Sequence, residues 1–220
     1  MEIYLVGGAV RDELLGISNN KSVNDYVVVG SSPQEMKSLG YRQVGKNFPV
    51  FIDPETSDEY ALARIESKVG AGYSGFEFDT SKTVTLEQDL YRRDLTINAI
   101  ARNVEGELID PYGGLEDIKT KTIRHVSDAF SEDPVRLLRV ARFASRFHKI
   151  GFSIAPETRK LMKQMVVSGE VDALVPERVF KELSLALCSD KPSIFFDVLL
   201  ESGAYHRLFP MLTSTGGHIS

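Results

Sequence analysis

The stretch IYLVGGAVRDELL, residues 3–15, decides how the first half of the chain folds. Its opening residues favour a strand, two glycines stop that strand, and the residues that follow predict a short helix ending at Gly16. A strand that turns through glycines into a helix presents backbone N–H groups to an anion, and Arg11 lies in the first helical turn. The stretch predicts a candidate phosphate site at Gly8 and Arg11, although a Gly-Gly pair after a strand is more often a plain turn.

Strands and turns continue to alternate with helices up to about residue 130. Val-rich residues 25–29 predict a strand, and residues 48–52 and 60–65 predict a strand pair joined by the turn at 53–56. Residues 67–84 contain three glycines and predict a loop. The first half of the chain is therefore expected to mix strands with helices.

Capping signals place further helices. Ser32 with Glu35, and Thr85 with Gln88, are spaced as capping boxes that start a helix, and the second helix is expected to continue to Ala101. After residue 130 the strand-like runs disappear and helical periodicity dominates. The helices predicted there lie near 132–148, 156–167, 176–188 and 191–203.

Composition restricts the classes of protein to which this chain can belong. Its 220 residues are 42% hydrophobic and 26% charged, which is typical of a globular protein and excludes a disordered or collagen-like chain. No apolar run is long enough to span a membrane and the N-terminus lacks a signal-peptide pattern, so we expect a cytoplasmic protein with no membrane partner. The single cysteine, Cys188, excludes an internal disulfide, and its apolar surroundings predict a core position. The net charge of −5 by itself argues against nucleic acid as a partner.

The stretch EDPVRLLRVARF, residues 132–143, begins the strongest charge pattern of the second half. At 100° per residue, a helix face of about 120° collects four arginines: Arg136, Arg139, Arg142 and Arg146. The other side of the helix is apolar and predicts core positions: Leu137, Val140, Ala141, Phe143, Ala144 and Phe147. No acid lies between residues 136 and 149, so the arginines need anions or carboxylates from elsewhere, which favours a phosphate site over a solvated face.

Asp133 and Arg136 predict a second kind of recognition in this stretch. They are three residues apart, so we expect them to lie close together. A carboxylate accepts hydrogen bonds and a guanidinium donates them, which is the combination needed to recognise the Watson–Crick edge of a base. The stretch therefore predicts base recognition beside phosphate binding.

Residues 92–99, RRDLTINA, are expected to lie within the helix that starts at Thr85. Asp94 and Asn98 would then share one helix face, with Arg93 about 100° around the helix from Asp94. A guanidinium, a carboxylate and an amide together can bind ribose hydroxyls and phosphate. The alternative is a local Arg–Asp pair on a solvated face.

Asp25, at the start of the Val-rich strand, is the candidate metal ligand. A carboxylate at a strand end can bind Mg²⁺, which prefers oxygen ligands. Two-metal sites for phosphoryl transfer usually need two or more carboxylates, and Val23 occupies the position two residues earlier on the same side of the strand. The alternative is that Asp25 is a solvated residue at a strand end.

Four stretches, in this order and spacing, resemble the bacterial CCA-adding enzymes, which are class II tRNA nucleotidyltransferases; bacterial poly(A) polymerases share most of them. The stretches are YLVGGAVRD (4–12), RRDLTINA (92–99), DPYGG (110–114) and EDPVRLLRVARF (132–143). The resemblance covers essentially the whole chain. It implies an α+β fold, with a polymerase-β-like nucleotidyltransferase head of mixed sheet and helices over residues 1–130 and an all-α neck over residues 131–220.

The resemblance also implies a reaction and its partners. Such enzymes use Mg²⁺ and add C and A nucleotides from CTP and ATP to the 3′ end of tRNA without a nucleic-acid template. The chain is expected to lack the body, tail and phosphohydrolase domains that follow the neck in longer members. We therefore expect exposed neck surface that could support homo-oligomerisation.

The family's motifs assign roles to individual residues of this chain. The positions are Gly8 and Arg11 for the triphosphate, Arg93, Asp94 and Asn98 for the ribose, Asp133 and Arg136 for the base, and Arg139 and Arg142 for further nucleotide contacts. The family carries Asp-x-Asp on the strand after the Gly-Gly helix; here Asp25 matches the second, catalytic and metal-binding position, and Val23 the first. Glu66 or Asp12 would be a candidate to supply the metal-binding carboxylate that Val23 lacks. The alternative function is a degenerate, catalytically impaired nucleotidyltransferase that binds nucleotide or RNA.

Overall fold

We describe the fold from a computed structural model, which places residues 1–18, 23–45, 50–68 and 76–213. The chain forms two compact units, the first ending at Lys119 and the second continuing from Thr120. The boundary between head and neck expected at residue 130 falls shortly after this division, and as a functional boundary it stays a prediction. No helix within the described ranges combines the length and the apolar character needed to cross a membrane.

The first unit is built on a mixed sheet. Its strands are β1 (Glu2–Val6), β2 (Asp25–Val29), β3 (Arg42–Val44), β4 (Val50–Ile52), β5 (Glu59–Leu62), β6 (Ile65–Lys68), β7 (Phe76–Asp79), β8 (Ala101–Arg102) and β9 (Leu108–Ile109). Its helices are α1 (Gly8–Leu14), α2 (Pro33–Ser38), α3 (Leu86–Tyr91) and α4 (Gly114–Lys119). The main sheet has the strand order β3-β4-β5-β2-β1-β8-β9, with β2 and β5 parallel and the other neighbours antiparallel. The predicted mixed sheet with helices is confirmed.

An apolar cluster holds α2 against the sheet. Val28 of β2 and Phe51 of β4 are buried with Met36 of α2, as strand alternation and the helical period require. The predicted strand pair around the turn at residues 53–56 is confirmed as β4 and β5. Residues 46–49, which include the start predicted for the first of these strands, lie outside the described residues.

The Gly-Gly turn after β1 has the conformation that its glycines allow. Gly7 has a φ of 71° and a ψ of −129°, which a residue with a side chain rarely adopts. A Cβ at Gly7 would also lie 3.2 Å from Nη1 of Arg93. Helix α1 starts directly afterwards, at Gly8. The predicted succession of strand, glycine turn and helix is confirmed.

The helix predicted over residues 85–101 is wrong beyond Tyr91. Its capping box is confirmed, but α3 ends at Tyr91 and the chain then forms a short 3₁₀ helix, Thr96–Asn98, before β8. The Asp94 carboxylate accepts a hydrogen bond from the N–H of Leu95 at 2.9 Å, which competes with continuation of the helix. Leu95 is extended and fully buried, so packing overrides helical propensity at this point.

The loop predicted over residues 67–84 is wrong at the positions where strands β6 and β7 lie. Residues 65–68 pair with residues 76–79 as an antiparallel hairpin. The prediction rested on glycines, and these fall in residues 69–75, which are outside the described residues. The sequence of residues 65–68 and 76–79 gave no strand signal strong enough to outweigh the loop signal of the glycines.

The second unit is helical. Its helices are α5 (Val135–Phe147), α6 (Pro156–Val167), α7 (Pro176–Leu187), α8 (Ser193–Ser202), α9 (Ala204–Leu208) and α10 (Pro210–Thr213), and its short strands β10 (Thr122–Ile123) and β11 (Ser153–Ile154) pair in parallel. The four predicted helices are confirmed as α5 to α8, and the predicted apolar side of α5 is buried. The core position predicted for Cys188 is wrong: α7 ends at Leu187, and Cys188 caps it as an exposed residue.

Helix α4 packs onto the 3₁₀ helix through a glycine. A Cβ added at Gly114 would lie 2.3 Å from the carbonyl oxygen of Thr96 and 2.7 Å from Cγ1 of Ile100. Heavy atoms cannot approach so closely, so a hydrogen atom is the only side chain that fits. The glycine therefore sets how near α4 comes to the 3₁₀ helix.

We expect Gly114→Ala to lower the free energy of unfolding by about 1–3 kcal/mol, the usual cost of overpacking. Alanine is otherwise favoured over glycine in a helix by about 1 kcal/mol, so the expected sign opposes helical propensity. Urea-induced unfolding measures the change. Glu116→Ala, at an exposed position of the same helix, is the control and should shift stability little. A Gly114→Ala protein as stable as the parent would contradict the close packing.

Candidate functional site

A buried hydrogen-bonded chain joins Arg11, Asn98 and Asp94. Nη1 of Arg11 donates to Oδ1 of Asn98, and Nδ2 of Asn98 donates to Oδ1 of Asp94 at 2.9 Å. The three side chains are buried, and Asp12 adds an ion pair to Arg11 at 2.7 Å. The structure therefore brings together residues that lie 87 positions apart in sequence. Asp94 and Asn98 meet as predicted, but across the 3₁₀ turn and not along an α-helix.

Arg93 lies beside the Gly-Gly turn with one donor unused. Nη1 lies 3.4 Å from the carbonyl oxygen of Asn98, and Nη2 donates to Oδ2 of Asp89 at 3.2 Å. Nε of Arg93 is buried and has no hydrogen-bond partner among the described residues. Buried donors are normally paired, so this nitrogen is suited to an acceptor on a ligand, such as a phosphate or hydroxyl oxygen.

The carboxylate of Asp89, which the sequence analysis missed, pairs with Arg93 and with its neighbour Arg92. This carboxylate is fully buried and accepts hydrogen bonds from Arg92 at 2.7 Å, from Arg93, and from the backbone N–H of Arg64 at 3.2 Å. Burial acts to raise the pKa of Asp89, but the positive charges of Arg92 and Arg93 outweigh it and hold that pKa below its usual range. An acid three and four residues before two arginines on a helix was the available signal.

The two substitute carboxylates suggested by the sequence are already engaged. Oε1 of Glu66 accepts from Nε of Arg64 at 2.8 Å and from Nη1 of Arg92 at 2.9 Å. Asp12 forms its ion pair with Arg11. Both carboxylates therefore balance arginines of the cluster.

Asp25 stands at the first position of β2, where the residue keeps part of its surface exposed to solvent, and Glu59 lies opposite it on β5. Partial burial raises the pKa of Asp25, the nearby positive charge of Arg93 lowers it, and the negative charge of Asp58 raises it, with a net rise. Val23, two residues earlier, is 52% exposed and offers no ligand atom.

The residues present do not complete a Mg²⁺ site. No group of three or more acidic, histidine or cysteine side chains among the described residues is arranged to hold a metal ion. Of the two strand positions that the resemblance assigns to metal ligands, Asp25 alone supplies an oxygen. The donor set thus falls short of the two carboxylates that two-metal chemistry usually requires.

In the second unit, Asp133 and Arg136 are both held by neighbours. Asp133 precedes α5, accepts from the N–H of Val135 at 3.2 Å, and forms a two-pronged ion pair with Arg178 of α7, with both distances 2.8 Å. Arg136 is nearly buried, and its Nη1 donates to the carbonyl oxygen of Ala129 at 2.8 Å. The bidentate geometry fixes the plane of the Asp133 carboxylate.

The arginine face of α5 receives its negative charge from α7. Nε of Arg142 donates to the buried carboxylate of Glu182 at 2.5 Å. Arg142 also lies over the ring of Phe143 at 4.2 Å, and Arg139 lies over the same ring at 5.6 Å. The expected need for carboxylates from elsewhere is therefore met for Arg142. The sequence analysis missed Glu182 and Arg178, although their spacing of four on one helix placed them on a common face.

Two family models match this chain. Residues 3–124 match the model described as "Poly A polymerase head domain". Residues 151–215 match the model described as "Probable RNA and SrmB- binding site of polymerase A". The first match covers most of the first unit, which contains the Gly-Gly turn. The second match covers most of the part of the second unit that follows α5.

Curated relatives are similar over almost the whole chain. A "Multifunctional CCA protein" of Teredinibacter turnerae is 61% identical over 99% of this chain and 52% of that protein. A "CCA-adding enzyme" of Coxiella burnetii is 58% identical over 98% of this chain and 56% of that protein. The chain spans about half the length of the curated relatives it matches.

Solved structures agree with this similarity. A CCA-adding enzyme in complex with CTP has a TM-score of 0.75 and 32% identity, covering 95% of this chain and 49% of that one. A tRNA nucleotidyltransferase complexed with a primer tRNA and an incoming ATP analog has a TM-score of 0.72 and 33% identity, covering 94% and 59%.

We expect Asp89→Asn to lower the free energy of unfolding at pH 7 by about 3 kcal/mol, because the partly buried Arg92 and Arg93 lose their buried counter-charge. The folded-state pKa of Asp89 is lowered, so its contribution is complete above the unfolded-state pKa of about 4 and is lost as pH falls through the folded-state value. The difference between parent and variant should therefore shrink below about pH 4.

Urea unfolding at pH 7, 5 and 3 measures this difference. Glu13→Gln, which removes a more exposed ion pair with Arg102 in the same unit, is the control and should have little effect at any pH. A difference for Asp89→Asn that stayed constant down to pH 3 would contradict the charged state of Asp89.

Proposed function

Since the chain belongs to the poly(A) polymerase head-domain family, we propose that it is a tRNA nucleotidyltransferase that adds C and A nucleotides from CTP and ATP to the 3′ end of tRNA. Relatives named for CCA addition, at about 60% identity, support this substrate class. In the proposal, residues 1–130 act as the nucleotidyltransferase head and residues 131–220 as the neck. The tRNA 3′ oxygen attacks the α-phosphorus of the nucleotide, and pyrophosphate leaves.

The observation that carries the proposal is Nε of Arg93, a buried donor beside the Gly-Gly turn that has no partner in the part of the chain that the structure describes. Side chains at Gly7 or Gly8 would crowd the guanidinium groups of Arg93 and Arg11, at 3.2 and 3.4 Å. The glycines thus leave space for an anion where two arginines can meet it. In the proposal this anion is the triphosphate, and Gly8 and Arg11 bind it.

The ribose and the base have their own groups in the proposal. Asp94 and Asn98 face the ribose hydroxyls, with Arg93 between ribose and phosphate. Asp133 and Arg136 recognise the base. Oδ1 of Asp133 accepts from both Arg178 and the N–H of Val135, whereas Oδ2 keeps acceptor capacity beyond its bond to Arg178. Further contacts to the nucleotide come from Arg139 and Arg142. The protein takes the place of a template because its donors and acceptors are held in fixed positions.

Mg²⁺ stays in the proposal only as an implication of the resemblance. Asp25 is the catalytic and metal-binding residue that the resemblance assigns, and Val23 leaves the first position of the motif without an oxygen ligand. A cytoplasmic location likewise remains a prediction.

Homo-oligomerisation through the neck also remains a prediction. Several apolar side chains of the second unit are exposed, including Phe180 at 69% and Val167 at 84%. Exposed apolar surface of this kind favours association.

The test of the function is incorporation of labelled CTP and ATP into tRNA that lacks its 3′ CCA. We expect C to be added first and A to follow, and CTP to bind in calorimetry. Arg93→Gln should weaken CTP binding roughly tenfold, because charged hydrogen bonds to the nucleotide are lost. Lys82→Gln removes the same charge at an exposed position paired with Glu35 and should leave binding unchanged. No incorporation at high enzyme concentration, together with no CTP binding, would refute the proposal.

Val23 favours the alternative of a nucleotide-binding but catalytically impaired protein. If the missing carboxylate limits turnover, Val23→Asp should raise the rate of CTP incorporation by at least tenfold while changing CTP affinity less. Incorporation assays with Mg²⁺ and calorimetry separate the two effects. Val23→Asn, which adds a neutral side chain of similar size, is the matched control. Unchanged incorporation in Val23→Asp would contradict the idea that this position limits catalysis.

A further inference from the structure

Helix α4 holds the 3₁₀ helix at Thr96 in two ways. The hydroxyl of Thr96 donates a hydrogen bond to Oδ2 of Asp117 at 2.6 Å, and both side chains are buried. One turn earlier, the Cα of Gly114 lies against the carbonyl oxygen of Thr96. Thr96 is thus bound through its side chain and packed through its backbone by the same helix.

The motif DPYGG, residues 110–114, fixes the helix that does this. Oδ1 of Asp110 accepts from the N–H of Gly114, and Oδ2 accepts from the N–H of Leu115, both at 2.8 Å. The carboxylate therefore caps α4 at its first turn, where backbone N–H groups lack helical partners. This gives a structural role to the one motif that nucleotide binding leaves without a function.

On its other side, the same 3₁₀ helix carries Asn98. Its amide joins Arg11 to Asp94, and its backbone oxygen lies near Nη1 of Arg93. Thr96 and Asn98 are the two ends of a three-residue turn, so a shift at one end moves the other. Asn98 therefore connects α4, through the 3₁₀ helix, to Arg11 and Arg93 beside the Gly-Gly turn.

We propose that Thr96 is a positioning residue for nucleotide binding. Its hydroxyl, bound to Asp117, sets the place of Asn98, and Asn98 sets the place of Arg11 beside the Gly-Gly turn. Thr96 touches no nucleotide in this scheme. The inference rests on the proposed function, because that proposal assigns Asn98 and Arg11, the residues that Thr96 would position, to nucleotide binding.

Three variants separate the hydrogen bond from the rest of the side chain. Thr96→Val keeps the shape of the side chain but removes the hydroxyl that donates to Oδ2 of Asp117. Thr96→Ser keeps the donor, and Asp117→Asn keeps an acceptor oxygen. Ser31→Ala is the matched control. It also removes a buried hydroxyl that donates to a carboxylate, that of Glu35, but Ser31 follows the C-terminal end of β2, whereas Asp25 lies at its N-terminal end.

Two readouts are needed. The first is the side-chain amide signal of Asn98 in ¹⁵N-correlated NMR spectra without nucleotide, assigned through its loss in Asn98→Asp. The second is CTP affinity by calorimetry. We expect Thr96→Val to shift the Asn98 amide signal and to weaken CTP binding roughly tenfold. In Thr96→Ser, Asp117→Asn and Ser31→Ala, both readouts should stay close to those of the parent.

The outcomes also distinguish this inference from the proposed function. An unchanged Asn98 signal or unchanged CTP affinity in Thr96→Val would overturn the positioning role. Equal weakening in Ser31→Ala would overturn it as well, since the effect would then be one of general stability. A parent protein that binds no CTP would refute the proposed function and the nucleotide part of this inference, while the amide signal would still decide whether Thr96 positions Asn98.

Discussion

The first unit depends on the burial of one negative charge, the carboxylate of Asp89. A carboxylate without partners would not stay ionised in such a place, and here the neighbouring arginines and a backbone N–H compensate for the lost water. Through Arg93 the carboxylate holds a guanidinium beside Gly7, and through Arg92 it connects to Glu66. The end of α3, the glycine turn and the hairpin strand β6 all contribute to this one electrostatic cluster.

The two units use the same arrangement of charge. In each, acids pair with arginines: Asp89 and Glu66 in the first unit, and Asp133 and Glu182 in the second. These paired acids lower the net charge of the chain, but the arginines and their hydrogen-bond donors are still present. The value of −5 is therefore a poor guide to whether an anionic partner binds, because binding depends on local donors.

Local sequence was sufficient for elements whose signals agree, such as the capping box at Thr85 and the helical period of α5. It failed at Leu95, where burial and the Asp94 side chain ended a helix that propensity would continue. The stretch RRDLTINA predicted that Asp94 and Asn98 would meet, and the structure brings them together beside Arg93. The motifs could not show Arg178 as the partner of Asp133, because a single sequence does not state which helix faces which. The spacing of Asp89 before Arg92 and Arg93, by contrast, was a local signal.

The exposed position of Cys188 has a practical consequence. The chain contains one thiol, and it lies at the C-terminal cap of α7, the helix that carries the carboxylate facing Arg142 and the guanidinium facing Asp133. A thiol-reactive fluorophore or spin label would therefore attach at a single native site without engineering. Such a label would report on α7 itself, so the protein already contains a reporter for the helix that pairs with Asp133 and Arg142.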